Sequence, residues 1–329
     1  MTHIWPMMPR TMPETLHPHR VLVATRAHDD IVAALRRRRP DLELRGAALP
    51  DVTADDLAWA DTFVGFKRPP GATSMGGVQW VHCTGAGVDA WLAPPALDAS
   101  ILLTRTPESF GPAIAEWAVA RVLAFQQQLL GLAEAQRDRR WAPRTIARVA
   151  GTRALIVGTG DVGGAIAAAL HALGIGVTGL SRTGSAHGDD TAFRAVYRVE
   201  ALAELVGEVD WIVLALPDTP TTRGIVSREV LARCRGAVLL NAGRGVVLDE
   251  HALSEALDKG WLRGAALDVF AEEPLPASSP LWSDPRVMIS PHCAGPTTVT
   301  GAVDGFLECL AVVERGETPR WTVDRARGY

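Results

Sequence analysis

A chain of 329 residues with 47% hydrophobic and 21% charged content can bury two cores, and its formal net charge of −4 gives no electrostatic case for nucleic acid. Four cysteines, Cys83, Cys234, Cys293 and Cys309, show no C-x-x-C spacing, which suggests neither a disulfide framework nor a metal site and suits a reducing, cytoplasmic setting. The first 20 residues hold no apolar run long enough for a signal peptide or a membrane span, so no membrane association is expected.

Residues 1–20, rich in Pro, His and Met, read as a loose tail in which His3, His17 and His19 are solvated rather than metal-bound. A strand is predicted over Val21–Thr25, then a helix over His28–Arg39 that Pro40 stops, its Arg36–Arg39 run forming a solvated face. Short strands follow at Leu42–Ala47, Asp61–Phe66, Val78–Thr84 and Ile101–Thr106, which makes an α/β domain of its own. The stretch Glu108–Leu132 carries Ile114, Trp117, Ala118, Val122, Leu123, Leu129 and Leu130 on one broad stripe, predicting a long helix that leads into a second domain. Beyond it, residues 131–150 combine the charged run Arg137–Arg140 with Trp141 and Pro143; Trp141 there reads equally as an interface anchor or as local packing.

The run Ala154-Leu-Ile-Val-Gly158-Thr-Gly160-Asp-Val-Gly163 is an apolar strand entering G-x-G-x-x-G and then a helix over Gly163–Leu173, the dinucleotide fingerprint in its required context. Gly158 permits the tight turn, Gly160 lets backbone approach a pyrophosphate, and Gly163 lets helix and strand pack closely; Thr159, Asp161 and Val162 complete the loop. The alternation then resumes with strand Gly176–Leu180, helix Ala201–Val206, strand Asp210–Leu216, helix Ser227–Arg235, strand Ala237–Asn241, helix Asp249–Lys259, strand Gly264–Val269 and strand Val287–Ser290. This predicts a doubly wound parallel sheet, after which the apolar helix Thr300–Val313 returns the chain to the first domain.

The second strand of that sheet ends in Leu180-Ser181-Arg182-Thr183, where an NAD-binding domain would place Asp or Glu to take the ribose hydroxyls. No carboxylate there repels a 2′-phosphate, while two hydroxyls and a guanidinium are available to bind one, so NADP(H) is preferred over NAD(H). Leu216, Pro217 and Ala242 are further candidate cofactor positions. Arg244 follows the strand Ala237–Asn241, where ligands bind in open α/β sheets, and a guanidinium there can grip a carboxylate and polarise a carbonyl. His292 follows the last strand and can supply a proton to a nascent alkoxide near neutral pH, with Glu273 as its natural partner. His171 and His251 read as structural, and Ala86 and Gly87 lie in a glycine-rich turn whose amides can nest an anion.

Gly158-x-Gly160-x-x-Gly163, Leu240-Asn-Ala-Gly-Arg244-Gly245, Ala266-Leu-Asp268-Val-Phe-Ala-Glu-Glu273-Pro274-Leu-Pro276 and Ser290-Pro-His292-Cys-Ala-Gly295 occur in that order. Together they resemble the D-isomer-specific 2-hydroxyacid dehydrogenases, a resemblance that extends from about Val78 to Tyr329 and includes Gly85-Ala-Gly87-Val-Asp89. It implies a Rossmann domain (113–292) inserted into a flavodoxin-like α/β substrate domain (21–112 and 293–329), a cleft between them, and a homodimer with much of its contact in 113–150, Trp141 reaching the partner's substrate entrance. It further implies a catalytic trio of Arg244, Glu273 and His292, with Glu273 chosen over Glu272 because the family's acid immediately precedes the proline. Asp268 is implied beside the nicotinamide, against an equal reading as a strand-end cap, and Ala86 and Gly87 would receive the substrate carboxylate with Arg244 and His292. The activity implied is NADP(H)-dependent reduction of a small 2-keto acid such as glyoxylate or hydroxypyruvate. Two alternatives are a relative using another small donor, such as the formate dehydrogenases, which carry Gln at the position of Glu273, and a dinucleotide-sensing protein like the C-terminal-binding corepressors. The corepressors keep the trio but bring an acidic ribose residue and extended tails, whereas this chain reads Ser181-Arg182 and stops at Tyr329.

Overall fold

A computed structural model describes residues 16–106, 110–186 and 191–328. The chain divides into two compact units, 1–109 with 297–329, and 110–296. The division falls three and four residues from the boundaries read in the sequence, because the second unit's first helix begins at Gly111 and the loop after its last strand stays attached to it through Ala294.

The first unit is a five-stranded parallel sheet in the order β2-β1-β3-β4-β5, from β1 (Arg20–Ala24), β2 (Glu43–Ala47), β3 (Thr62–Val64), β4 (Trp80–Cys83) and β5 (Leu102–Arg105). That order is the flavodoxin-like one. Helix α1 (His28–Arg38) buries Ile31, Val32 and Leu35 and closes on a basic last turn that suits the negative end of its dipole. Arg36 and Arg37 are exposed, as the solvated face predicts, while Arg38 pairs with Asp304 and Arg39 with Asp41 and Glu314. Two short helices, α2 (Ala54–Trp59), opened by a Thr53–Asp56 capping box, and α3 (Asp89–Leu92), were not anticipated in the sequence because each spans too few residues to show a period. The tail is docked from Leu16 onward: Leu16 is in the core, and the amides of His19 and Arg20 donate to the Asp61 carboxylate. His17 is exposed and His19 lies 3.4 Å from Glu43, while His3 lies outside the described residues.

The second unit opens with α4 (Gly111–Gln126) and α5 (Leu129–Arg137). A single helix was expected over Glu108–Leu132; instead Gln128 takes a left-handed φ of 54° and breaks it, in a Gln126-Gln127-Gln128 run that holds none of the residues that normally signal a break. The expected start at Glu108 lies outside the described residues. Seven parallel strands follow in the order β12-β11-β10-β9-β6-β7-β8, namely β6 (Arg153–Val157), β7 (Gly176–Ser181), β8 (Phe193–Arg198), β9 (Trp211–Leu214), β10 (Ala237–Asn241), β11 (Leu262–Leu267) and β12 (Val287–Ile289). The strand order reverses between β6 and β9, which is the Rossmann pattern. Central strands are continuous apolar runs because both faces are covered; β10 and β9 are buried at every position. β8 was missed in the sequence because it is a half-exposed edge strand of mixed polarity. Helices α6 (Asp161–Ala172), α7 (Leu202–Leu205), α8 (Arg228–Leu231) and α9 (Glu250–Asp258) connect these strands, and α10 (Val299–Val313) belongs to the first unit, burying Phe306 and Leu310 there. Among the described residues no helix is long and apolar enough to cross a membrane.

Candidate active site

The loops at the C-terminal ends of β6, β9 and β10 meet through glycines. Gly158 has φ 104°, and a Cβ there would stand 2.5 Å from the Ala215 carbonyl oxygen. At Gly163 a Cβ would stand 1.8 Å from the Gly158 carbonyl oxygen, so only glycine lets α6 begin so close to its own loop. At Gly160, the N-cap of α6, a Cβ would meet nothing within 4 Å. This position faces open space at the start of a 12-residue helix, the cradle a pyrophosphate would fill. A Cβ on Gly243 would stand 2.7 Å from the Leu216 backbone, and the Ala242 amide donates to the Leu214 carbonyl, which brings the loops after β9 and β10 together. The Thr222 hydroxyl donates to the Pro217 carbonyl at 2.6 Å and fixes that loop.

Ser181, Arg182 and Thr183 form a tight turn at the end of β7. The Ser181 hydroxyl accepts from the Gly184 amide at 2.9 Å and donates to the Ser185 carbonyl at 2.8 Å; the same carbonyl accepts from Thr159 at 3.2 Å. The turn is therefore tied to the glycine loop. Arg182 is exposed, and among the described residues no carboxylate pairs with it. Ser181 and Thr183 carry hydrogen bonds within the turn, while Arg182 is exposed with no hydrogen bond or ion pair to another described residue.

Arg244 leaves β10 through a turn held by Asn241, whose side chain accepts from the Gly243 amide at 3.1 Å and donates to the Arg244 carbonyl at 3.0 Å. The guanidinium is half-buried and donates to the Gly243 carbonyl at 2.8 Å. Gly245 then packs under the loop after β11, where a Cβ would stand 1.9 Å from the Phe270 carbonyl carbon. That loop carries Glu273, which accepts from the Phe270 amide at 3.0 Å with one oxygen and contacts His292 Nδ1 at 2.7 Å with the other. With Nδ1 facing a carboxylate, Nδ1 carries the hydrogen and Nε2 is presented to a ligand. His292 holds a φ of 51°, a conformation uncommon outside glycine that persists only where the surroundings enforce it.

Asp268 supplies that enforcement. Its carboxylate is 2% exposed and accepts from the Ser290 hydroxyl and from the amides of Cys293 at 3.1 Å and Ala294 at 2.9 Å, while its own carbonyl accepts from the His292 amide at 2.7 Å. Trp117 on α4 donates to the Ser290 hydroxyl at 2.9 Å. The Asp268 carboxylate thus caps the loop that follows β12. Ser290 and Trp117 were not singled out as site residues, since the pair lies 173 residues apart and only the fold joins them.

In the first unit, the Gly85–Gly87 turn follows β4. The Ala86 carbonyl accepts from Arg105 at 3.1 Å, the Gly87 carbonyl from the Cys83 thiol at 3.4 Å, and a Cβ on Gly85 would stand 2.5 Å from the Phe66 ring. Phe66 thus covers the turn, whereas Trp91 is wholly buried in this unit's core. His82, on β4, is fully buried with its two nitrogens on the Thr104 and Thr106 hydroxyls, each at 2.8 Å. Burial pushes its ring down to about 3.

Comparison with known proteins agrees with this geometry. The family model for the D-isomer specific 2-hydroxyacid dehydrogenase NAD binding domain matches residues 119–294. Glyoxylate/hydroxypyruvate reductase A of Salmonella paratyphi B is 37% identical over 308 residues, covering 91% of this chain and 95% of the relative. Among solved structures, the NADPH-dependent glyoxylate/hydroxypyruvate reductase of Sinorhizobium meliloti, in complex with NADP and sulfate, has a TM-score of 0.85 at 30% identity, covering 94% of this chain and all of that one. A D-isomer specific 2-hydroxyacid dehydrogenase of Xanthobacter autotrophicus Py2, in complex with NADPH and MES, has a TM-score of 0.85 at 31% identity over 95% of this chain and all of that one. With two parallel sheets, a glycine cradle and a paired histidine and glutamate, the chain belongs to the D-isomer-specific 2-hydroxyacid dehydrogenase family.

Proposed function

We propose that this protein is an NADP(H)-dependent reductase of small 2-keto acids of the glyoxylate and hydroxypyruvate type, giving the D-2-hydroxy acid. The observation that carries the proposal is the 2.7 Å contact between His292 Nδ1 and Glu273, on a loop packed against the turn that bears Arg244. The relatives named above for this activity, and the neighbours solved with NADP or NADPH, support it. So does the exposed Arg182 at a strand end that offers no carboxylate to the ribose.

The glycine loop 158–163 would hold the pyrophosphate, with Leu216, Pro217 and Ala242 beside it and Ser181, Arg182 and Thr183 at the ribose end. NADPH, when bound, supplies the hydride that the keto carbon accepts. Arg244 grips the substrate carboxylate and polarises its carbonyl, and the Ala86–Gly87 turn of the first unit offers amides suited to an anion. His292 gives the proton on Nε2 to the carbonyl oxygen as it becomes a hydroxyl. Glu273, bonded to Nδ1, fixes the ring's orientation. Asp268, through the loop amides, keeps His292 in its left-handed conformation.

The proposal extends to a cytoplasmic homodimer. Leu129, Leu130, Trp141 and Ile146 are all exposed, Trp141 to 96%, which is more apolar surface in one segment than an isolated protomer comfortably presents. Residues 113–150 supply most of the contact, with Trp141 at the partner's substrate entrance. The functional test is a panel of 2-keto acids offered with NADPH and with NADH, followed by nicotinamide absorbance. Oxidation of NADPH by the smallest keto acids supports the reading, and a protein that binds NADPH but reduces none of them overturns it.

A further inference from the structure

Glu250 is the first residue of α9, and its side chain leaves the helix to accept the Ala271 amide at 2.6 Å. The preceding amide, Phe270, is taken by Glu273 itself at 3.0 Å. Two carboxylates therefore hold consecutive amides of one loop, and one of the two is the partner of His292. Beneath the same peptide lies Gly245. The backbone that carries Glu273 is thus held at the 270–271 peptide by two points of a single short segment, 244–250, which also carries Arg244.

An acidic residue in a helix's first turn has a general reason to be there, since it complements the positive end of the dipole. Glu250 does more than that requires, because its carboxylate is half-buried against the Ala271 amide and shares its surroundings with Glu273. Burial, and then the charge of Glu273, push its carboxyl above the usual range, opposed by the Ala271 hydrogen bond and by His251 on the same helix. Placing two like charges around one loop is unfavourable unless the hydrogen bonds they make are needed.

We propose that Glu250 is a positioning residue of the active site: it fixes the 270–273 loop to the segment bearing Arg244, so that Glu273 meets His292 Nδ1 while Glu250 itself touches no substrate. This inference rests on the reading of His292 and Glu273 as the proton-donating pair.

Three substitutions separate the roles. Gln at 250 keeps an oxygen for the Ala271 amide but drops the charge; Asp keeps the charge at the helix start but is too short to reach; Ala drops both. Positioning predicts that Glu250→Asp and Glu250→Ala lower kcat about tenfold or more with NADPH affinity within about twofold, while Glu250→Gln stays near the parent. A readout independent of turnover is the Nδ1-bound proton of His292 in an imidazole-labelled sample, assigned by its disappearance in His292→Asn. Its downfield, carboxylate-bonded resonance should persist in Glu250→Gln and be lost or moved upfield in Glu250→Asp. Parent-like kcat in Glu250→Asp, or a lowered kcat with the resonance unmoved, overturns the proposal. If the parent reduces no keto acid yet the resonance responds as described, the reductase reading fails while the positioning role stands.

Discussion

Acidification should weaken the first unit through one buried ring. His82 is held neutral between two threonine hydroxyls, with a folded-state value of about 3 against an ordinary 6.5. Between those values the unfolded chain binds a proton that the folded chain refuses, so stability rises with pH across the window and is lost as pH falls below about 6.5. Integrating over that window gives a loss of about 2 kcal/mol at pH 5 and about 3 kcal/mol at pH 4, relative to neutral pH. Glu250, whose carboxyl is pushed upward, acts in the opposite sense, and Asp41, held at about 2, contributes only at lower pH. The loss bears on function because Thr106, on His82 Nε2, also donates its amide to the Gly85 carbonyl at the turn proposed to receive the substrate carboxylate. The assay is amide hydrogen exchange of β4 and β5 from pH 7.5 to 5, corrected for intrinsic rates, with β9 and β10 of the second unit as an internal reference. Protection in β4 and β5 should fall by about 2 kcal/mol relative to the reference, and His82→Gln should flatten the dependence. A parent whose β4 protection is flat over this range, or a variant with the parent's slope, would refute the reasoning.

Other outcomes follow from the second unit. Arg182→Ala should weaken NADPH by about tenfold to a hundredfold, the worth of a charge-assisted contact, and leave NADH nearly unaffected; equal losses in titrations of both cofactors would remove Arg182 from phosphate reading. Arg244→Ala should raise KM for the keto acid and lower kcat, together about 10²-fold or more in kcat/KM, with cofactor affinity retained. Trp141→Ala, followed by sedimentation and by kinetics with small and bulky keto acids, should weaken the dimer or change the size preference; a variant indistinguishable from its parent in both would overturn the interface role of Trp141, whose ring is exposed in the protomer rather than packed on its own unit.

The architecture was legible wherever burial imposed a period. Ala237–Asn241 coincides with its predicted strand because every position is buried, and the glycine loop announced itself because close backbone approach at Gly158 and Gly163 admits no other residue type. The half-exposed β8 and the left-handed break at Gln128 lacked such a signal. Within the site, motif residues stood out one by one, and the fold then brought His292 and Glu273 to 2.7 Å. What the sequence could not show was how they are held: the Trp117–Ser290–Asp268 relay and the reach of Glu250 to Ala271 join residues distant in the chain through hydrogen bonds that no local pattern encodes. Asp249 and Glu250 read only as a helix start.

The central claim is that His292, presented by Glu273, gives the proton in keto-acid reduction, and its most direct test is a single-turnover reaction. Parent and His292→Asn are each saturated with NADPH, cofactor affinity is measured by fluorescence, and hydroxypyruvate is added while nicotinamide absorbance is followed. The account predicts equal NADPH affinity, rapid oxidation by the parent with D-glycerate as product, and a rate lowered by about 10²–10⁴-fold in the variant. A variant that oxidises NADPH at the parent's rate would contradict it.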